Sequence, residues 1–368
     1  MAQAKGRADG ILLVTIFGLV VFGIIMVGSA SSVLGEQFRG GDAFYFLKHQ
    51  SIYGLLVGII AFLIGFYTPY HKLRKIAVPA IIIALILLVM VFIPGLKIVS
   101  GGSARWIGVG PITLQPSELA KLGFILYLAA LLEKKGSEIK DFKKSVVPFL
   151  VITSVISLLI ILQPDIGTLF TITAIGISMM FSAGIRIRHL AFIGLGGIAA
   201  FSVLISTAHY RLARLFVYLH PELDPQGIGY QINQALLAVG TGGLWGLGFG
   251  RSRQKYSYLP EPAGDSIFAV IAEELGFIRV VILLLAFAVI IYRGYKIAEA
   301  APDMFGRLLA TGITSWILVQ AFVNMASVMA ITPLTGIPLP FISYGGSALI
   351  ALLFVSGVLL NISKYTSK

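Results

Sequence analysis

Cysteine is absent from all 368 residues, which excludes a disulfide framework, a thiolate metal site and a cysteine nucleophile. Charge is also scarce. Asp, Glu, Lys and Arg make up 12% of the chain against 57% hydrophobic residues, and the mean hydropathy is +0.94. Such a balance excludes a water-soluble domain and points to an all-α polytopic membrane protein. Histidine is sparse as well: His49, His71, His189, His209 and His220 show no metal-ligand spacing such as HExxH, and no chemistry is assigned to them. Acidic residues number 16 against 28 basic ones, a formal net charge of +12. The basic residues are spread over short connecting segments, as membrane orientation demands, so the excess does not imply a nucleic-acid partner.

Ten apolar spans can be drawn, at 11–30, 49–67, 76–94, 117–132, 146–163, 166–184, 189–208, 266–292, 307–331 and 341–362. The first follows Lys5 and Arg7 but is too long for the apolar core of a signal peptide, and is read as a retained transmembrane helix. With the N-terminus inside, 17 of the 28 basic residues fall in inner segments and 9 in outer ones, so both termini are predicted to be cytoplasmic. Gly54 and Gly58, in GxxxG spacing, suit close helix packing in lipid. The whole chain, 1–368, reads as one membrane domain, with residues 209–265 as a large extracytoplasmic loop between helices 7 and 8. Five outer basic residues, Arg211, Arg214, Arg251, Arg253 and Lys255, gather in that loop, against the orientation rule, which suggests an anionic ligand on the outer face. The cluster GTGGLWGLGFG at 240–250 follows no strand, so it is read as close or re-entrant packing rather than a dinucleotide loop.

The segment YLPEPAGDSIFAVIAEELG at 258–276 feeds Asp265 into the start of a long apolar helix, with Glu261 nearby. Asp265 there could cap the helix or carry chemistry at the membrane boundary. Glu273 and Glu274 lie inside the apolar span, where an unpaired charge costs on the order of 2.5–3.5 kcal/mol at the centre, so a polar partner is expected. In residues 101–124, Pro116 suits a first helical turn, and Glu118 and Lys121 share one face. They read either as an internal ion pair or as a lysine held for a phosphate, with Arg105 just before them. Asp165, in the tight turn with Gln163, Pro164 and Gly167, reads as a cap. The uncharged stretch PLTGIPLPFISYGGSALI at 333–350 demands broken or re-entrant backbone, and its Ser343, Tyr344 and Ser347 could line a polar cavity.

Five segments together, GGSARWIGVGPITLQPSELAKL (101–122), QPDIGT (163–168), residues 229–262, DSIFAVIAEELGF (265–277) and residues 333–350, resemble the SEDS family of shape, elongation, division and sporulation proteins. The run RSRQKYSYLPE is more similar to its FtsW and SpoVE branch than to RodA. The resemblance implies a glycosyltransferase that polymerises lipid II into peptidoglycan at the outer face of the cytoplasmic membrane, in division or sporulation, inverting the anomeric centre and releasing undecaprenyl pyrophosphate. It implies Asp265 as the catalytic carboxylate and Glu118, Lys121 and Arg105 as substrate-binding positions. Arg211 and Arg214 are further candidates for the pyrophosphate, and Ser343 and Tyr344 for the cavity. A divalent cation, magnesium or manganese, is expected to share the pyrophosphate charge, although no motif identifies its ligands. Expected partners are lipid II, a class B penicillin-binding protein acting as transpeptidase, and other divisome or sporulation membrane proteins. Ala263, Gly264 and Ser266 depart from the family's usual His-Thr before the Asp and Phe after it. Rival expectations are a lipid II flippase or transporter with Glu118 and Lys121 as its intramembrane site, and a non-catalytic scaffold.

Overall fold

The computed structural model describes residues 6–38, 40–100, 103–109, 112–206, 209–224, 226–256 and 258–366. The first half begins with α1 (Gly10–Phe38). Next, α2 (Tyr45–His49) continues through a π-helical stretch into α3 (Val57–Tyr67), and α4 (Tyr70–Leu73) leads into α5 (Ala77–Met90). A three-stranded antiparallel sheet, β1 (Lys97–Ser100), β2 (Ser103–Val109) and β3 (Ile112–Leu114), precedes α6 (Pro116–Lys135). Then come α7 (Val147–Ile161), α8 (Ile166–Ser182), α9 (Ile187–Ser206), α10 (His209–Leu219) and α11 (Ile228–Gly242). The bundle closes with α12 (Ile267–Glu299), α13 (Met304–Val328) and α14 (Gly346–Ser363).

Each of the ten apolar spans overlaps helix, the one at 49–67 running from the end of α2 through the π-helical stretch into α3. Among the described residues, seven helices are long and apolar enough to cross a membrane. α8 (Ile166–Ser182) falls just below that length, and the stretch Ile187–Val203 of α9 is also apolar. Most of α13 and α14 is buried, whereas α1, α3, α5 and α12 bury only a minor share. The outer helices turn residues such as Val14, Val21, Ile60, Ile64, Ile82, Ile86, Ile282 and Leu285 outward, an apolar surface suited to lipid. α3 lies directly on α14: a Cβ at Gly58 would press on Leu353 Cδ1 at 2.6 Å, and one at Gly65 would lie 2.4 Å from the backbone oxygen of Phe354, an approach that only a residue without a side chain permits.

The two chain ends meet. Gly6 N donates to Lys364 O at 2.8 Å, Asp9 N to Ser363 Oγ at 3.1 Å, and Arg293 Nε to Asp9 Oδ2 at 2.7 Å. Because α12 and α14 both run away from Asp265 toward this junction, the Asp265 turn occupies the opposite end of the bundle.

The segment 209–265, expected as a loop, is largely folded. α11 lies alongside the first half of α12, with Gln231 Nε2 donating to Ser266 Oγ at 3.3 Å near its start and Gly243 O accepting from Phe277 N at 2.9 Å just past its end. The chain then reverses through the glycine cluster and returns over residues 250–262. This turn fits into a break in α12 at Gly276, where φ is 77° and ψ 174°. Leu247 N and Gly248 N donate to the carbonyls of Glu273 and Glu274 at 2.9 and 3.0 Å, and Ile278 N donates to Leu244 O at 3.2 Å. Backbone groups orphaned by the break are thereby satisfied from the turn. The contact requires glycine on both sides. A Cβ at Gly276 would lie 2.2 Å from Gly246 N, and one at Gly246 (φ 82°) 2.2 Å from Glu274 O.

Gly276→Ala is therefore expected to lower stability by more than about 2 kcal/mol, since it adds a backbone overlap to a left-handed conformation. Gly240→Ala, in α11 with open space around it, is expected to be neutral or stabilising by up to about 1 kcal/mol. Thermal unfolding of the detergent-solubilised protein distinguishes the two.

Candidate functional site

Two irregular segments face each other at the end remote from the termini, residues 259–266 before α12 and 333–345 before α14. Ser343 Oγ donates to Gly264 O at 2.7 Å and accepts from Leu339 N at 2.7 Å, while Tyr344 N donates to Ala263 O at 2.7 Å. From α13, Asn324 Nδ2 donates to Asp265 O and to Ile337 O, both at 2.7 Å. Three polar ties thus hold the backbone around Asp265 to the uncharged Pro-rich segment. Ser343, predicted to line a cavity, spends its hydroxyl on that clamp. Tyr344 bonds through its hydroxyl to His49 Nδ1 at 3.0 Å and packs edge-on against Phe46.

Asp265 does not act as the helix cap that its position suggested: the N-cap of α12 is Ser266, with no side-chain capping bond. The Asp265 carboxylate is half-buried and accepts a long 3.5 Å bond from Ser266 Oγ. Burial, and then the neighbouring Glu261 charge, push its pKa up from 3.8 to about 6. Opposite lies Arg105 on β2, donating to Gln163 O at 3.4 Å and to Pro164 O, which ties the sheet to the turn before α8. Gly336 borders both charges: a Cβ there would be 3.5 Å from Arg105 Nη1 and 3.7 Å from Asp265 Oδ2. The missing side chain leaves a gap flanked by a guanidinium and a carboxylate. In the same turn Asp165 caps α8, accepting from Thr168 N at 3.1 Å and Thr168 Oγ1 at 2.7 Å.

Glu118 and Lys121 form a buried ion pair of 2.8 Å on α6. Lys121 Nζ also donates to Gln320 Oε1 at 2.7 Å and lies 4.7 Å from the Trp316 ring centre. Gln320 Nε2 in turn donates to Pro338 O at 3.0 Å. One helical turn further along α13 comes Asn324, so the pair is connected to the Asp265 turn through two side chains of one helix. Glu118 Oε2 and Asn324 Oδ1 remain buried acceptors with no partner among the described residues. Gln320 and Asn324 were missed in the sequence, although two amides at i, i+4 inside an apolar span were the signal available. Arg211 and Arg214 lie on α10, and their side chains fall outside the described residues.

Glu273 and Glu274 both find the partners their burial requires. Glu273 accepts from Arg253 N at 3.0 Å, Ser252 Oγ at 2.5 Å and Gln254 N at 3.4 Å. Glu274 accepts from Ser29 Oγ at 2.8 Å, Gly250 N at 3.0 Å, Ser252 N at 3.3 Å and Lys255 Nζ at 2.9 Å. Lys255, counted from sequence among cations available to an anionic ligand, is instead buried in this pairing, because the Glu274 charge needs a counter-ion away from water. Among the described residues, no group of three or more His, Asp or Glu could hold a metal ion.

A helical bundle with lipid-facing apolar helices, one of them broken at Gly276, and a guanidinium and a carboxylate brought together at one end is a multi-pass membrane protein with a polar site at one face. The cell cycle protein family of FtsW, RodA and SpoVE matches residues 10–368, and the chain belongs to it. It is 44% identical over 366 residues to stage V sporulation protein E of Bacillus subtilis (strain 168), covering 100% of both chains. It is 42% identical over 363 residues to the probable peptidoglycan glycosyltransferase FtsW of Geobacter sp. (strain M18), covering 99% of this chain and 98% of the relative. Among solved structures, it matches the rod shape determining protein RodA of Thermus thermophilus with TM-score 0.71 and 28% identity, over 98% of each chain. It also matches, with TM-score 0.78 and 28% identity over 97% of each chain, a chain of the structure reported as "Structural coordination of polymerization and crosslinking by a peptidoglycan synthase complex".

Breaking the buried pair on one side leaves a charge without its partner. Lys121→Met is expected to cost about 3–5 kcal/mol, and Glu118→Leu combined with Lys121→Met to recover most of that loss. Chemical unfolding of the three proteins in the same detergent reads the difference.

Proposed function

We propose that this chain is a peptidoglycan glycosyltransferase that polymerises lipid II at the outer face of the cytoplasmic membrane. The observation that carries the reading is the Asp265 carboxylate facing Arg105 across Gly336, in a chain whose relatives include proteins named probable peptidoglycan glycosyltransferase FtsW. The orientation follows from the charge bias and from the joined termini: both ends are cytoplasmic, and the Asp265 end faces outward.

In this reading, the acceptor sugar hydroxyl enters the gap and loses its proton to Asp265. Its oxygen bonds to the donor anomeric carbon as the bond from that carbon to the pyrophosphate oxygen breaks, and direct displacement inverts the centre. The leaving group needs positive charge rather than a proton, and Arg105 supplies it. A pKa of about 6 leaves Asp265 ionised at neutral pH yet close enough to act as an efficient base. Glu118 and Lys121 act on the site at one remove, by holding α13 and so the Pro-rich segment. Their burial and mutual bonding give the transporter reading less support. Glu261, exposed beside the site, would be the carboxylate available to a magnesium or manganese ion whose shell substrate oxygens and water complete, with Asp265 kept as the base. Such an ion would neutralise pyrophosphate charge. The partner is a class B penicillin-binding protein that crosslinks the strands, a pairing supported by the likeness to a chain of a polymerising and crosslinking synthase complex.

Asp265→Asn is expected to retain membrane insertion and fold while losing at least about 10²-fold in polymerisation of purified lipid II. In the parent enzyme, kcat/KM should fall about tenfold per pH unit below about 6, as Asp265 takes up a proton. Stability should move the other way. Because the folded-state pKa is raised, the parent gains stability as pH falls from about 6 toward 3.8, and this gain is absent in Asp265→Asn. Parallel pH series of rate and unfolding check both.

A further inference from the structure

The return segment 250–262 connects the break in α12 to the Asp265 turn, and its polar side chains among the described residues 250–256 and 258 sort into two sets. Ser252, Gln254 and Lys255 point inward and are buried, whereas Arg251, Arg253, Tyr256 and Tyr258 are exposed. At the centre of the inward set, Lys255 Nζ donates to Glu274 Oε1 at 2.9 Å, to Ser29 Oγ at 3.1 Å and to Gly250 O at 2.8 Å. Ser29 Oγ, accepting from Lys255, in turn donates a hydrogen bond to Glu274 Oε1 at 2.8 Å. α1, distant in sequence, therefore meets the return segment and α12 in a buried cluster with Lys255 and Ser29 fully engaged. Below it, α1 and α12 are tied again by Asp9 and Arg293 at 2.7 Å.

From this cluster the path to Asp265 is short and bonded. Leu259 N donates to Gln254 O at 2.9 Å, Gly264 N to Glu261 O at 3.0 Å, and Ser266 N to Glu261 O at 3.3 Å. We infer that Ser29, Lys255 and Glu274 are positioning residues: by locking the return segment to α1 and α12, they set where Glu261 and Asp265 stand relative to Arg105. None of the three reaches the gap, so their effect is on the placement of the base, and this inference rests on the polymerase reading above. A buried pair of this kind contributes little net stability over an apolar replacement, whereas loss of one partner leaves an uncompensated buried charge, so the return segment is held to the one arrangement that keeps Lys255 on Glu274.

The absence of cysteine from the chain makes the test direct. Spin labels at Tyr258→Cys and Ile331→Cys, both exposed sites, report the distance from the return segment to the bend that follows α13 in reconstituted full-length protein without any need for activity. The expected result is one narrow distribution in the labelled parent, broadened by Lys255→Met and by Ser29→Ala and restored by Lys255→Arg. In lipid II polymerisation by the unlabelled variants, kcat should fall on the order of tenfold or more with KM within about twofold, since misplacement of a reacting group acts on the chemical step. If Lys255→Met does not fold, Ser29→Ala carries the same comparison. Unchanged distributions together with unchanged kcat in the folded variants would overturn the inference. A polymerisation defect in which KM rises and kcat holds would overturn it as well. An inactive parent with label distances that still broaden would refute the polymerase reading alone.

Discussion

The break in α12 at Gly276 sets the constraint that the upper half of this molecule obeys. Within an apolar environment, carbonyl and amide groups released by a broken helix must be bonded again, or each costs several kcal/mol. Here the turn after α11 supplies the missing partners: Gly243, Leu244, Leu247 and Gly248 pair with Phe277, Ile278, Glu273 and Glu274. That solution forces glycine at the crossing and brings the return segment against two glutamates. Their negative charge then requires the inward amides of 250–254 and the ammonium of Lys255. Asp265 stands where it does because the chain must climb from that crossing to the start of α12.

On the other side, the clamp is made by α13. Gln320 and Asn324, one turn apart, convert a buried Glu118–Lys121 pair into hydrogen bonds on Pro338, Ile337 and the Asp265 backbone. A buried ion pair is a poor source of net stability, but it holds an amide in a single orientation. The site therefore combines rigid backbone, fixed from two directions, with two charged groups that have capacity left for a ligand. Such preorganisation is what an electrostatic catalyst requires.

Much of this was legible in the sequence and some was not, for physical reasons. The membrane helices were legible because long apolar runs have few alternatives in water. The need of Glu273 and Glu274 for polar partners was legible from the cost of their burial, but the identity of those partners was not, since Ser29 lies on α1 and Lys255 looked like a surface cation. α11 was hidden because its polar and glycine residues, QINQALLAVGTG, dilute the apolar pattern, and its packing depends on a break at Gly276 that local sequence does not reveal. Capping was a fair reading of Asp265 from its position alone. The structure gives the N-cap to Ser266 and leaves the carboxylate facing Arg105, a juxtaposition of residues 160 apart in sequence that no local pattern encodes.

Lipid II supplied to the purified chain in liposomes, with and without a transpeptidase partner whose own active site is blocked, tests most directly whether the gap between Arg105 and Asp265 is a polymerase site. β-linked glycan strands should form from the α-linked donor, with pyrophosphate-bearing lipid released in step. Lipid II moved between leaflets with no strand formed under either condition would contradict it.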